Sequence, residues 1–187
     1  MKKLFTVLAL ALVTLTISAQ DFKKFRFGPT VGLNVSTVTD NAGGANKIGF
    51  NAGVRGEYNF SNHWFATLGL GISQKGYKDA GGEKAKPYYL EIPIKGGYRY
   101  SFNDDFSLFG EFGPYMAIGI AGKYYDTKIF SADGWDGKKF DFGLGIGVGA
   151  EYKKFQLRIG YDFGLLKTTN WGTSKNRNLY INVGYMF

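Results

Sequence analysis

Hydrophobic and polar residues alternate with a period of two along most of this chain. The alternation is most regular near the C-terminus, in segments 140–152, 155–165 and 179–187. In the first two of these, large apolar residues alternate with glycine or with charged and polar residues. Because successive side chains of a strand point to opposite faces, the pattern predicts strands with one apolar face and one glycine-rich or polar face.

Five earlier segments show the same alternation with more interruptions, so the sequence predicts eight strands in all. These five are 25–38, 48–60, 65–77, 88–100 and 106–120. Strands in soluble proteins usually have about five or six residues, whereas a tilted crossing of a bilayer takes roughly 9 to 11. The predicted strands have the length that suits a bilayer.

The connections between the strands alternate in length. Short turns are expected at 61–63, 101–105 and 153–154. The other connections are long and polar, and they cover 39–47, 78–87, 122–139 and 167–178. This alternation is typical of outer-membrane barrels. The prediction is an all-β fold, an eight-stranded antiparallel up-and-down transmembrane β-barrel with short periplasmic turns, long extracellular loops and both termini on the periplasmic side.

The N-terminus is a segment of a different kind. Two lysines precede an apolar run, 4–17, and the small residues Ser18 and Ala19 supply a cleavage point. This is the arrangement of a secretory signal peptide, and the run is shorter than the roughly 20 residues of a membrane anchor helix. We expect residues 1–19 to be a cleaved signal peptide and residues 20–187 to form one outer-membrane β-barrel domain. Cleavage lowers the net charge from +8 to +6 because it removes the two lysines.

The second face of the strands decides between a membrane barrel and a soluble one. A soluble lipocalin-like barrel would turn its apolar face inward around a ligand. Here the other face is rich in glycine, which weakens a solvent-exposed strand but leaves room in a narrow lumen. We therefore expect the apolar face to meet lipid. The alternative is a soluble barrel on which the charged residues are ordinary surface charges.

The charged residues of the expected inward face balance, with six basic and six acidic groups. An eight-stranded barrel is only wide enough inside for side chains. We therefore expect a salt-bridged network that fills the lumen. Its members are Arg26, Arg55, Glu57, Lys75, Glu91, Lys95, Arg99, Glu111, Asp141, Glu151, Arg158 and Asp162.

Aromatic residues are expected to form two girdles at the lipid interfaces, where amphipathic rings are favoured. Beside the short turns these are Tyr58, Phe60, Trp64, Tyr98, Tyr100, Phe102, Phe106, Tyr152, Phe155, Tyr185 and Phe187. Near the long loops they are Tyr77, Tyr88, Tyr124, Tyr125, Phe140 and Trp171.

The composition excludes several kinds of site. The chain has no cysteine, which excludes disulfides, cysteine-based zinc sites and thiol nucleophiles. Its one histidine, His63, is expected in a periplasmic turn, remote from the outer rim where an outer-membrane enzyme would place its base. Asp133, Asp136 and Asp141 could offer oxygen ligands to calcium, but the segment lacks the full set of ligands of a calcium loop. We therefore expect no catalytic residue, metal site or cofactor, and no enzyme.

Several short motifs resemble those of a known family. Gly32-Leu33-Asn34, Gln74-Lys75-Gly76 and the sequence Tyr-Leu-Glu-Ile-Pro at 89–93 resemble recurring strand motifs of the small outer-membrane β-barrel domain proteins, the porin-family or PorT-like group. The resemblance covers 25–187. It implies a location in the outer membrane of a Gram-negative cell envelope, and it implies no particular substrate.

The last strand ends on an alternating apolar pattern and a terminal aromatic residue. This pattern resembles the C-terminal signature of outer-membrane barrels, and the resemblance implies recognition by the barrel-assembly machinery. The residues are Leu179, Ile181, Val183, Tyr185 and Phe187.

For function, the sequence favours a structural, adhesive or surface-interaction role through the long extracellular loops. One alternative is a narrow porin or transporter of small solutes, although a balanced lumen predicts little conductance. A second alternative, an accessory component of protein secretion, is implied only by the PorT-like resemblance.

The expected partners are outer-membrane lipid and lipopolysaccharide, the barrel-assembly machinery, and an extracellular protein or surface ligand, with no nucleic acid. Basic loop residues would face the phosphates of lipopolysaccharide. They are Lys78, Lys84, Lys86, Lys123, Lys128, Lys138, Lys139, Lys167, Lys175 and Arg177.

Overall fold

The computed structural model describes residues 24–40, 43–131, 137–170 and 172–187. The expected signal peptide lies outside the described residues, as do Asp133, Asp136 and Trp171. No described helix is long and apolar enough to cross a membrane.

The described residues form ten antiparallel strands, eight long and two short. They are β1 (Phe25–Val38), β2 (Ala45–Asn59), β3 (Trp64–Gln74), β4 (Tyr77–Lys78), β5 (Lys84–Ser101), β6 (Phe106–Tyr124), β7 (Thr127–Lys128), β8 (Phe140–Tyr152), β9 (Phe155–Lys167) and β10 (Lys175–Tyr185). The two short strands, β4 and β7, extend hairpins at one end of the sheet.

The eight long strands close into a barrel because the first strand pairs with the last. Leu33 of β1 lies opposite Phe50 of β2 on one side and opposite Ile181 of β10 on the other. Each remaining long strand pairs antiparallel with its neighbour along the chain. The predicted eight-stranded antiparallel up-and-down barrel is confirmed.

The strand bounds differ from the predicted ones mainly at the long-loop end. The predicted strand 88–100 begins at Lys84, and the predicted strand 106–120 continues to Tyr124. The hydrophobic alternation stops at the edge of the apolar wall, whereas the backbone hydrogen bonds continue beyond it. Alternation therefore marks the membrane-facing part of each strand and not its full length.

Both ends of the described chain lie at the short-turn end of the barrel. The amide of Met186 donates to the carbonyl of Lys154 in the turn between β8 and β9, at 2.7 Å. The amide of Phe187 donates to the carbonyl of Phe27 in β1, at 2.8 Å. The long loops lie at the opposite end, which we call the outer end.

The barrel wall has the arrangement of a membrane protein, with apolar residues outside and polar residues inside. Leu33, Val148 and Val183 on the outer face are each more than half exposed. Glu57, Lys75 and Asn34 on the inner face are nearly completely buried, although they are polar or charged. A soluble barrel would show the reverse, so the closed sheet and its apolar exterior favour lipid as the surrounding medium.

A small aromatic layer lies in the lumen toward the outer end. Tyr89, Tyr115 and Ala117 are buried together, with Phe130 packed against them. A second cluster beyond it contains Tyr124 with Ala85 and Ile129. The expectation that Tyr124 belongs to the outer lipid girdle is wrong, because its side chain is buried in this cluster.

Candidate functional site in the lumen and at the outer rim

The centre of the lumen is an ion cluster around Glu111. The Arg55 guanidinium donates to Glu111 Oε2 at 2.6 Å, and both side chains are buried. Lys95 Nζ and an Arg158 guanidinium nitrogen each lie 3.7 Å from Glu111 Oε1. Lys95 Nζ also lies 3.9 Å from Asp162. One carboxylate therefore faces three cations taken from three different strands.

A second ion cluster lies toward the short-turn end. Arg26 pairs with both Glu57 and Glu151. Arg99 donates to Glu57 Oε1 at 2.7 Å and lies 3.7 Å from Glu151. The Arg99 guanidinium also lies over the ring of Phe65, 4.7 Å from its centroid. Two arginines and two glutamates thus form a ring of alternating charge.

A third group lies toward the outer end. Lys75 Nζ lies 2.6 Å from Glu91 Oε2 and 4.3 Å from the ring centroid of Tyr115. Asp141 accepts hydrogen bonds from the Tyr115 hydroxyl at 3.1 Å and from Asn176 at 2.9 Å. Within the described part of the chain, no cation comes within 4.0 Å of the Asp141 carboxylate.

The structure thus places all twelve residues of the expected lumen network inside the barrel. Ten are buried, while Arg26 and Glu91 are partly exposed. Eleven take part in ion pairs, and Asp141 is held by neutral donors instead. Buried charges are costly unless they are paired and hydrogen-bonded, which explains why the network extends over three levels.

Sequence reasoning missed the uncharged polar residues and one lysine that complete the network. Asn34 donates to Ser73 Oγ at 3.0 Å, and Asn51 donates to Asn34 Oδ1 at 2.8 Å. Lys47 is buried, and its Nζ donates to Gln74 Oε1 at 3.0 Å. The same alternation could have found these residues, since Asn34 lies between the outward-facing Leu33 and Val35.

Glycines on the inner face leave room for aromatic rings in the lumen. A Cβ at Gly97 would overlap the Phe65 ring and stand 2.7 Å from the Gly110 carbonyl oxygen. Gly149 faces Phe109 in the same manner. The sequence predicts that the inward glycines leave room in the lumen, but it does not identify the aromatic rings that occupy this room.

A small cavity lies in the lumen. It has a volume of about 80 Å³ and is lined by polar groups that include Asn34, Arg55 and Tyr180. A cavity of this size holds only a few water molecules. The interior is therefore occupied mainly by side chains, as expected for eight strands.

Of the residues considered for catalysis and metal binding, the structure describes His63 and Asp141, whereas Asp133 and Asp136 lie outside the described residues. His63 lies in an exposed turn, and its ring stacks on Tyr98 with centroids 5.4 Å apart. Among the residues that the structure describes, no group of three or more His, Cys, Asp or Glu side chains could hold a metal ion.

The outer end is rich in basic residues. The ten basic loop residues named above are all described, and the same loops hold six acidic residues, of which Asp40, Asp79, Glu83 and Asp126 are described. Asp79 accepts hydrogen bonds from the Tyr124 hydroxyl at 2.6 Å and from the Glu83 amide at 2.9 Å. These bonds, the one from Tyr124 above all, hold the pKa of the Asp79 carboxyl below its usual value.

The residues of the expected assembly signal lie on the outer face of the closing strand. Leu179, Ile181 and Val183 alternate with the inward-facing Tyr180 and with Asn182. The other two residues of the expected signal are Tyr185 and Phe187, whose ring centroids lie 5.2 Å apart.

A closed, lipid-facing eight-stranded barrel with a polar interior defines a small outer-membrane β-barrel protein. The chain belongs to the outer membrane protein beta-barrel domain family, whose sequence model matches residues 6–187. The predicted family is confirmed. No curated protein matches the chain by sequence.

Solved structures share the fold at low sequence identity. Neisserial surface protein A is 12% identical, with a TM-score of 0.56 over 87% of this chain and 97% of its own. Ail, the attachment invasion locus protein of Yersinia pestis, is 17% identical, with a TM-score of 0.50 over 88% of this chain and 99% of its own. The N-terminal barrel domain of Pseudomonas aeruginosa OprF is 12% identical, with a TM-score of 0.50 over 88% and 98%.

The family and the fold agree on the location and the class of the protein. Both are those of outer-membrane proteins, which confirms the expected outer-membrane location.

Proposed function

We propose that this protein is a non-conducting surface protein of the outer membrane, whose outer end binds negatively charged partners. The observation that carries the proposal is the packed lumen. Glu111 and its three cations occupy the centre, and Tyr89, Tyr115 and Phe130 fill the section above it. With the interior occupied in this manner, the outer end is the surface left for interaction with molecules outside the cell.

Charge supports an anionic partner. By sequence the four outer loops carry eleven basic residues against six acidic ones, and one of the basic residues, Lys47, is buried in the lumen. A one-sign surface field raises the local concentration of oppositely charged molecules and speeds their association. An extracellular polyanion, whether on another cell or on a protein, fits this surface.

The conductance of the purified barrel in a planar bilayer tests the first half of the proposal. We expect no stable open channels, because buried ion pairs and aromatic rings occupy the lumen. Long-lived channels at neutral pH would contradict the proposal and favour the narrow porin that the sequence leaves as an alternative.

Adhesion of cells to dextran-sulfate beads tests the second half. We expect cells that display the protein to adhere, and the double variant Lys84→Gln/Lys167→Gln to adhere less, because both lysines are exposed at the outer end. The matched control is Lys153→Gln/Lys154→Gln, which removes the same charge at the short-turn end. Equal adhesion by all three would contradict an outer-end binding surface.

The remaining parts of the proposal concern export and assembly. A cleaved signal peptide over residues 1–19 would deliver the chain through the inner membrane. The outward-facing pattern from Leu179 to Phe187 would then be bound by the barrel-assembly machinery. No enzymatic step is proposed, and a secretion role has no support from the lumen or the rim.

A further inference from the structure

Lysines at the outer end lie directly opposite one another across neighbouring strands. Lys86 of β5 pairs with Lys123 of β6, and Lys123 pairs in turn with Lys128 of β7. Directly opposed side chains have Cβ atoms about 5 Å apart, and like charges at this distance are destabilising. Three such residues in one row form a concentrated positive site.

The row lies on the outer face of the wall. In β5 the side chains of Ala85 and Pro87 are buried, whereas Lys86 between them is exposed. Lys123 and Lys128 are also exposed. Because the three residues are cross-strand partners, they share one face of the sheet.

No described acidic residue forms a close ion pair with this row. Over residues 24–40, 43–131, 137–170 and 172–187, neither Lys86, Lys123 nor Lys128 makes an ion pair within 4.0 Å. On the loop side, Glu83 and Asp126 line a depression together with Lys86 and Lys123. The side toward the membrane carries no described acid.

A groove on the membrane side of the row is lined by apolar and aromatic residues. Tyr88 and Ile120 contribute to its wall, together with the three lysines, a fourth, Lys139, and Phe130, which also packs against the aromatic layer of the lumen. Its volume is about 620 Å³, which is within the range of small-molecule sites. A register shift between Tyr88 and Tyr89 places an unpaired residue, Ile120, in β6 at this point.

We propose that this groove binds a phosphorylated lipid of the outer leaflet, with phosphate between the lysines and an acyl chain against Tyr88 and Ile120. The occupant follows from charge and polarity together. The lysines require an anion to offset their repulsion, and the adjoining apolar groove faces the region where lipid chains lie. A phosphorylated glycolipid such as lipopolysaccharide supplies both groups in one molecule. The inference rests on the proposed outward orientation of the long loops.

Native mass spectrometry of the mature full-length protein in micelles containing diphosphoryl lipid A tests the site. We expect the wild-type protein to retain lipid and the triple variant Lys86→Gln/Lys123→Gln/Lys128→Gln to bind it roughly 100-fold more weakly, from about fivefold for each lysine near an anionic lipid surface. Lipid A stripped of both phosphates should bind the wild-type protein as weakly as diphosphoryl lipid A binds the variant.

The matched control is the triple variant Lys24→Gln/Lys153→Gln/Lys154→Gln. These three exposed lysines lie at the short-turn end, and their removal changes the net charge equally. Equal affinity in the two triple variants would overturn the site. Competition by millimolar inorganic phosphate without any contribution from the acyl chains would overturn the lipid as occupant.

Two further measurements keep the outcome interpretable. A heat-dependent gel shift shows that each variant forms the barrel, and the single variant Lys123→Gln, at the middle of the row, replaces the triple variant if the latter does not fold.

Bead adhesion by the same cells separates the two proposals. Adhesion without specific lipid retention overturns only the lipid site, whereas lipid retention without adhesion overturns only the proposed surface function.

Discussion

Arg55 and Glu111 meet across the lumen at 2.6 Å, from strands that are not neighbours in the barrel. Both side chains are buried, and Glu111 also faces Lys95 and Arg158. A single carboxylate therefore connects β2, β5, β6 and β9 through the interior. The relationship gives the network a central member that faces three of its cations at once.

The first prediction is that Glu111→Gln destabilises the barrel by about 3 kcal/mol or more, because it leaves three buried cations without their common partner. Urea unfolding in lipid vesicles measures the change. The exposed loop residue Glu83→Gln serves as the control, with an expected change of about 0.5 kcal/mol or less. A Glu111→Gln barrel as stable as the wild type would contradict the importance of the central cluster.

A double variant separates the cost of burying the two charges from the attraction between them. The double variant Arg55→Met/Glu111→Met removes opposite charges together, and we expect it to lose less stability than Glu111→Gln alone. Replacing a buried pair with apolar groups is often neutral, whereas removing one partner leaves an uncompensated charge. The same urea titration provides the comparison.

The second prediction uses two adjacent glycines that face opposite ways. A Cβ at Gly97 would overlap the Phe65 ring in the lumen, whereas a Cβ at Gly96 meets nothing within 4 Å on the outer wall. Gly97→Ala should therefore cost about 1 to 3 kcal/mol by overpacking. Gly96→Ala should be neutral or stabilising by up to about 1 kcal/mol, since alanine has less freedom in the unfolded chain. Equal effects would contradict the assignment of the two faces.

The period-two alternation carries limited information, and this determines how much of the structure can be predicted from the sequence. Alternation assigns each strand residue to one of two faces, and from this alone Arg55 and Glu111 could be placed in the lumen. Alternation does not give strand tilt or register. It therefore cannot predict that these two residues, from β2 and β6, pair with each other. The same limit explains Asp141, which the sequence placed in a balanced network but which accepts from Tyr115 and Asn176.

The outer end was predicted least well, for a related reason. The segments around Lys84 and Tyr124 were expected to be loop, because their composition is polar or mixed. They continue as strand since hairpin hydrogen bonds do not depend on which medium surrounds them. The row of Lys86, Lys123 and Lys128 exists only because of this extension, and loop composition alone could not reveal it.

The third prediction concerns pH and the turn at Asp79. The Asp79 carboxyl has a lowered pKa in the folded protein, because it accepts from the Tyr124 hydroxyl and the Glu83 amide. A lowered pKa means that the stabilisation is present above the unfolded value, about 4, and is lost as the pH falls through the lower folded value. Order in this turn should therefore persist from pH 7 to pH 5 and decrease below about pH 4.

Hydrogen exchange at the Glu83 amide, corrected for its intrinsic pH dependence, measures this loss. Asp79→Asn is the matched control, because the amide oxygen can still accept a hydrogen bond but does not titrate over this range. We expect the step below pH 4 to disappear in the variant. A step of the same size in both proteins would assign it to another group.

The fourth prediction separates assembly from stability at the C-terminus. The Phe187 side chain is about half exposed on the wall, although its amide donates to Phe27 at 2.8 Å. Because Phe187→Ala keeps that backbone bond, we expect a loss of about 1 kcal/mol or less in urea unfolding of refolded barrels. In cells the same variant should assemble poorly, since the proposed recognition pattern ends on this ring. Phe155→Ala, at an equally exposed aromatic of the same barrel end, should assemble normally. Normal assembly of both variants, measured by the heat-dependent gel shift of outer-membrane fractions, would contradict the assembly role of Phe187.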